Sequence, residues 1–547
     1  MDLLLRGGIL VDGTGAERRR ADVGITGDRI SGLGELDPRD ARETLDLEGL
    51  VLAPGFIDPH THYDAQLLWD PDLTPSSWHG VTSVVMGNCG FGVAPTRPEH
   101  RDWIVRTLEN VEGMSRAALQ SGLDWSFESF PDYLDLLDRI PKRIHAAAML
   151  GHTPLRRFVI GEAATERAAT PQELRRMAGL LGEALDAGAA GFSPSRNESH
   201  VGAYGRPVPS RRAELSELRA LAGVLGERGR GTLESTWGAD WFVEENAEIA
   251  RATGRPVTWA ALIAQTSRPE FVDGVLERMG ESRGVYPQFS CRPLAAQVTL
   301  AEPAPFANMP AFAEVLALEP GERAGRYARP EWRARARADF EAQWGRDRLE
   351  SASVCESAVH TRLRGSATLG ELAAARGAHP LDAMLDLALA EELSTRFAVT
   401  FGNDSEAQIA RLLNDERLLL GLSDAGAHAS QLCDAGFATE LLGHWCRERG
   451  AVSLERAVWR LTAQPAQVYG LQARGRVVRG ALADLVAFDP ASVGCGPLER
   501  RRDFPAGTER LVAESRGIEH VWVAGRAIRS AGVDLPDSWP GRLIRAG

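Results

Sequence analysis

The chain has 547 residues, 44% of them hydrophobic and 25% charged, and a formal net charge of −13 at pH 7. That length buries a large core without cross-links, and the acidic balance argues against a nucleic-acid partner or an anionic membrane surface. Six scattered cysteines form no C-x-x-C pair, which fits a reduced, cytoplasmic setting rather than a disulfide framework. The opening MDLLLRGGILVDG is too short and too polar for a signal peptide, and no apolar run reaches the roughly 18 residues of a membrane span.

In chain order, the first 55 residues read as short strands punctuated by the turn pairs Asp12-Gly13, Gly27-Asp28 and Glu48-Gly49. The same style returns over 472–547, so residues 1–55 and 472–547 predict one small β-sandwich assembled from both termini. Between them, 56–471 alternates short apolar runs with helical patterns, the signature of βα units. Strand candidates fall at 53–60, 80–87, 143–150, 189–195, 231–236, 256–263, 284–290 and 418–424. Eight is the number that closes a TIM-type (β/α)8 barrel. The charged, helical stretch over about 304–370 breaks the rhythm. It predicts an insertion, either a lid over the barrel mouth or a solvated excursion.

The chemistry concentrates at strand ends. In PGFIDPHTHYD, His60 and His62 stand two apart on a strand and point to one face, at the end of the barrel where such enzymes work. Neutral imidazoles suit zinc, iron or copper. Asp424 closes the eighth candidate in LLLGLSDAGAH, where a carboxylate can bind metal and take a proton from water. His428, four residues on, can face the same cavity. Cys89 lies in the glycine-rich GNCGFGVAP after the second strand, and His152 ends the third. Ser195, Arg196 and His200 follow the fourth; Gln288 and Arg292 follow or end the seventh. These are the substrate-side candidates, an arginine being able to pair bidentately with a carboxylate.

PGFIDPHTH resembles the first-strand motif of the amidohydrolase superfamily. GVTSVVMGNCGFGVAP, GHTPLRRFVIG, LDAGAAGFS, GLSDAGAH, RLTAQPAQVYGL and GALADLVAFDP are similar, in order, to segments of the N-acyl-D-amino-acid deacylases, or D-aminoacylases. The resemblance implies a metal-containing barrel with a split β-sandwich. It implies a hydrolase of carbon–nitrogen bonds other than peptide bonds, acting on a small N-acyl amino acid. It makes Cys89 a metal ligand and Asp424 the general base. One departure stands out: that family carries metal histidines on its fifth and sixth strands, where this chain reads GTLESTWGADW and PVTWAALIAQ. The nearest polar residues there are Glu234, Ser235, Thr236 and Gln265. A carboxylated bridging lysine is excluded too, because the only lysine, Lys142, precedes the third strand. The expectation is therefore a site reduced to a single divalent cation, zinc by preference, on His60, His62 and Asp424 with Cys89 nearby. His152 or His428 is expected to steady the oxyanion. Cyclic-amide hydrolysis, decarboxylation, isomerisation and a non-catalytic metal-binding scaffold stand as alternatives, and a homo-oligomer is compatible with the sequence.

Overall fold

Eight short parallel strands lie side by side in chain order: β1 Phe56–Thr61, β2 Val81–Met86, β3 His145–Gly151, β4 Gly191–Ser193, β5 Thr232–Thr236, β6 Val257–Ala260, β7 Val285–Phe289 and β8 Leu419–Leu420. This is a computed structural model that describes residues 1–546, the side chain of Ala304 excepted. The sheet closes on itself just past β8, where Thr61 bridges to Ala425 and the His62 N–H donates to the Ala425 carbonyl at 2.7 Å. Each of the eight segments expected from the sequence carries one of these strands. β1 and β2 are buried along their whole length. A parallel barrel strand is covered by side chains inside and by helices outside, which is why such strands read as continuous apolar runs like VTSVVM.

The two termini interleave. Leu485–Phe488 pairs antiparallel with Val51–Pro54 on one side and with Ile518–Val523 on the other, within a seven-stranded sheet. A four-stranded sheet from residues of the first 46 only, Leu3–Arg6, Asp22–Thr26, Arg29–Gly34 and Glu43–Asp46, supplies the second layer. Leu5, Leu10, Ile25, Leu52, Leu485 and Trp522 form the core of this part, each large side chain contributing about 1.5–3 kcal/mol on full burial. The expected sandwich boundary needs one correction. The last residues leave the sandwich and follow β3: the Gly541 N–H donates to the Lys142 carbonyl and the Ile544 N–H to the Ala146 carbonyl.

The insertion is wider than the expected 304–370. Pro293–Asp404 with Ser430–Leu432 forms a compact unit of its own. It contains an antiparallel sheet of Leu294–Thr299, Arg396–Gly402 and Ser353–Glu356, and a core that includes Phe306, Phe312, Tyr327, Trp332, Phe340 and Leu385. Among the described residues, no helix is long and apolar enough to cross a membrane.

Candidate metal centre

β1 points His60 and His62 into the mouth of the barrel, and each ring is fixed from behind or beside. The His60 Nδ1 lies 2.7 Å from Gln288 Oε1 on β7. The Gln288 amide nitrogen donates to Thr258 at 3.0 Å and to the Tyr469 hydroxyl at 3.3 Å. The Gln288 oxygen must therefore accept from Nδ1–H, which leaves His60 Nε2 as the ligand nitrogen. That Nε2 is 3.2 Å from Asp424 Oδ1, and His62 Nε2 is 3.6 Å from the same oxygen. The strand-1 carboxylate Asp58 is fully buried and accepts from Ser423 Oγ at 2.6 Å. It thereby ties β1 to the turn that carries Asp424, and burial pushes its carboxyl up to about 7.

The backbone here is held in a costly shape. Cys89, Asp424 and His428 all adopt left-handed φ values of 57°, 48° and 49°, a region that non-glycine residues occupy at a cost of roughly 1–3 kcal/mol and that clusters at functional sites. Gly426 shows why the turn after Asp424 needs a glycine: a Cβ there would stand 2.5 Å from the His62 carbonyl oxygen.

The donor set is larger than its histidines. Cys89 Sγ lies 3.3 Å from His60 Nε2, and His60, His62 and Cys89 each offer one donor atom within 4.8 Å of the others. Glu234 on β5 is fully buried; its Oε2 accepts the Cys89 N–H at 2.8 Å, and its Oε1 has no hydrogen-bond partner. Glu112, the last residue of helix α1 (Arg101–Glu112), brings Oε2 to 3.6 Å from His62 Nε2. An orphaned buried carboxylate oxygen is expensive unless a cation satisfies it. Burial, then the charges of Glu234, Glu112 and Asp424, push the Cys89 thiol well up; a bound cation is what would hold it as the thiolate. Burial also raises the Asp424 carboxyl, but hydrogen bonds and charge from His60 and His62 outweigh it and hold the group well below the carboxylate range. The residues thus fit a divalent metal.

The sequence candidates divide. His60, His62, Cys89 and Asp424 converge. Gln288 is beside them, but as the partner that orients His60 rather than as a substrate contact. His428 joins the rim through its backbone, its N–H donating to the Glu112 carbonyl at 2.5 Å. Ser195 and His200 pair with each other at 2.7 Å. His152 must be withdrawn from catalysis. It is fully buried, its Nδ1 is held by Ser210 Oγ and its Nε2 by Glu217 Oε1, both at 2.9 Å, and Glu217 also grips Arg156. The two arginines must be withdrawn from the substrate as well. The Arg196 guanidinium pairs with Asp240 and donates to the carbonyls of Ser210, Arg211 and Ala213. Arg292 is paired with Asp434 at 3.0 Å and faces Glu440 at 3.6 Å. Glu112 escaped the sequence reading altogether, since nothing around it in LENVEGM marks a site.

A closed parallel barrel with imidazoles on its first strand and a carboxylate just past its eighth is the frame of a metal-dependent hydrolase. The chain belongs to the amidohydrolase family, whose model matches residues 43–311 and 321–529. The D-aminoacylase of Alcaligenes xylosoxydans xylosoxydans is 32% identical over 536 residues, which cover 96% of this chain and 94% of that protein. A solved D-aminoacylase with a binuclear metal centre aligns with a TM-score of 0.67 at 28% identity, over 100% of this chain and 99% of that one. The N-acyl-D-glutamate deacylase from Bordetella bronchiseptica, solved with zinc and a phosphonate that mimics the tetrahedral intermediate, gives 0.66 at 28% identity over 100% of both chains.

Proposed function

We propose that this protein hydrolyses the amide bond of N-acyl-D-amino acids, using a divalent metal, zinc by preference. The observation that carries the proposal is the meeting of His60, His62 and Asp424 at the barrel mouth, at 3.2 and 3.6 Å, beside Cys89. The D-configuration and the N-acyl amino acid class rest on the likeness to D-aminoacylase along nearly the whole chain. His60, His62 and Cys89, whose donor atoms lie within 4.8 Å of one another, would hold one tight cation, with Asp424 beside both imidazoles. A thiolate among nitrogen and oxygen donors favours zinc. When bound, the cation would polarise the scissile carbonyl and make an attacking water more acidic.

The side chains do the rest. Asp424, with 29% of its side chain exposed, is the ionised group open to the cavity. It accepts the proton of the attacking water as the oxygen bonds to the acyl carbon. It then delivers that proton to the nitrogen as the carbon–nitrogen bond breaks, releasing a carboxylate and a free amino acid. Gln288 keeps His60 in the tautomer that exposes Nε2.

The test is Asp424→Asn. General acid–base groups contribute about 10²–10⁴ in rate, so kcat on N-acetyl-D-amino acids should fall by that order while metal content stays the same. Full turnover by the variant, or equal turnover of the L-enantiomers by the parent, would overturn the assignment of base or of stereochemistry respectively. Two tightly held ions per chain would replace the single-cation reading.

A further inference from the structure

The hydroxyl groups at the end of β5 fix the tautomer of a second histidine, His200. The Thr236 hydroxyl accepts the backbone N–H of Arg196 at 3.0 Å and that of Asn197 at 3.2 Å. A hydroxyl has two acceptor sites and one proton. Both acceptor sites are filled, so the proton turns to the remaining neighbour, Ser195 Oγ, at 3.2 Å. Ser195 is fully buried. Having accepted from Thr236, it has one partner left for its own proton, His200 Nδ1 at 2.7 Å. The reverse arrangement, with Nδ1–H donating, would strand the Ser195 proton in a dry site at a cost of about 1–3 kcal/mol. Nδ1 is therefore the acceptor, and the ring proton sits on Nε2.

That nitrogen is on the side facing away from the Ser195 network. The His200 ring rests on Phe91, with centroids 5.2 Å apart, and remains half-buried rather than sealed. It lies within electrostatic reach of His62, His428 and Asp424. Burial first, then the neighbouring histidines, pull its pKa down to about 3, so the ring is neutral. A neutral imidazole whose only ring proton faces a reacting carbonyl is an electrophile of fixed direction, needing no reorganisation when charge develops. His152 is the contrast within the same polar network. Ser210 Oγ accepts the Ser195 N–H and also holds His152 Nδ1, but the second His152 nitrogen is closed off by Glu217.

We propose that His200 donates its Nε2–H to the substrate's acyl oxygen as that oxygen becomes negative, with Ser195 and Thr236 as positioning residues that fix the ring's tautomer. This rests on the amide-hydrolase reading above. In His200→Ala, loss of one such donor should lower kcat by about 10²–10³ with KM and metal content little changed. Affinity for a phosphonate mimic of the tetrahedral intermediate should fall by the same factor as kcat/KM. His200→Gln, which keeps an N–H, should recover part of both. Ser195→Ala should leave metal content alone and shift the His200 ring nitrogens, read by ¹⁵N resonances assigned through their loss in His200→Gln, away from the Nε2–H tautomer seen in the parent. Unchanged kcat and phosphonate affinity in His200→Ala, with the parent active, would overturn the donor role and leave the hydrolase reading standing. A parent inactive on every N-acyl amino acid would overturn the hydrolase reading, while the ring resonances would still decide the tautomer. An Nδ1–H ring in the parent would overturn the positioning chain.

Discussion

β1 and β5 stand on opposite sides of the barrel and solve the same problem with different residues. β1 sends His60 and His62 inward from alternate positions; β5 sends Glu234 and Thr236 inward at the same spacing, while Ser235 between them turns away to Asn246 and Trp241. The first pair announces a metal in the sequence. The second does not, yet Glu234 reaches the Cys89 N–H and carries an orphaned oxygen, and Thr236 begins the chain of hydroxyls that ends at His200. β5, without a histidine, still brings a buried carboxylate to the Cys89 N–H, a residue that a search for histidines alone passes over.

Removing the charge from β5 is the strongest way to break this comparison. Glu234→Gln keeps the shape and the acceptor for Cys89 but removes the carboxylate. Partners that only orient a ligand cost about 10–100-fold in metal affinity when lost, so a direct donor should cost more than that, measured by zinc competition with a chelating dye. Glu234→His should restore much of the affinity. Zinc affinity unchanged in Glu234→Gln would separate β5 from the cation and return the site to β1. A smaller effect sharpens the β1 side: Gln288→Ala frees the His60 ring to rotate and should weaken metal binding within that 10–100-fold band, with the fold intact by circular dichroism.

The same contrast explains what could be read from the sequence. The eight barrel strands were legible because a strand covered on both faces must be apolar along its length, and their ends carry chemistry because that is where loops converge. His60, His62, Cys89 and Asp424 were legible through local motifs. The residues misplaced were those whose partners lie far off in the chain. His152 meets Glu217, Arg196 meets Asp240 and Arg292 meets Asp434 only after folding. Each reads as a candidate in isolation and as a satisfied structural group in context. Glu112 is the reverse case, an ordinary helix-end acid brought to 3.6 Å from His62 Nε2 by where α1 ends. The insertion exceeds its expected bounds because Leu294–Thr299 follows β7 with little break and pairs with Arg396–Gly402 about a hundred residues later, a register no local pattern discloses.

The smallest expected effect tests what distinguishes a metal-site histidine from a packed one. His62 stands among carboxylates; burial lowers its pKa, but Glu112 and Asp424 more than reverse this and lift it to about 9. His79 is as deeply buried, with Nδ1 2.7 Å from Thr439 Oγ1 and Nε2 2.9 Å from the Ala513 carbonyl, and has no carboxylate among the groups that perturb it. Burial, aided by the charges of Arg292 and Arg529, pulls it down to about 4. A group whose folded pKa lies below its ordinary value of about 6.5 binds protons more readily when unfolded. Its stabilising contribution is thus complete above about pH 6.5 and is lost as pH falls toward 4, by about 2 kcal/mol at pH 5 on the scale of 1.36 kcal/mol per pKa unit. His79→Gln keeps a donor for the Ala513 carbonyl and cannot titrate, so its apparent Tm should fall less steeply than the parent's between pH 7 and pH 5. Identical slopes would mean that His79 takes up its proton over the same pH range in the folded protein as in the unfolded chain, so that burial does not hold it neutral.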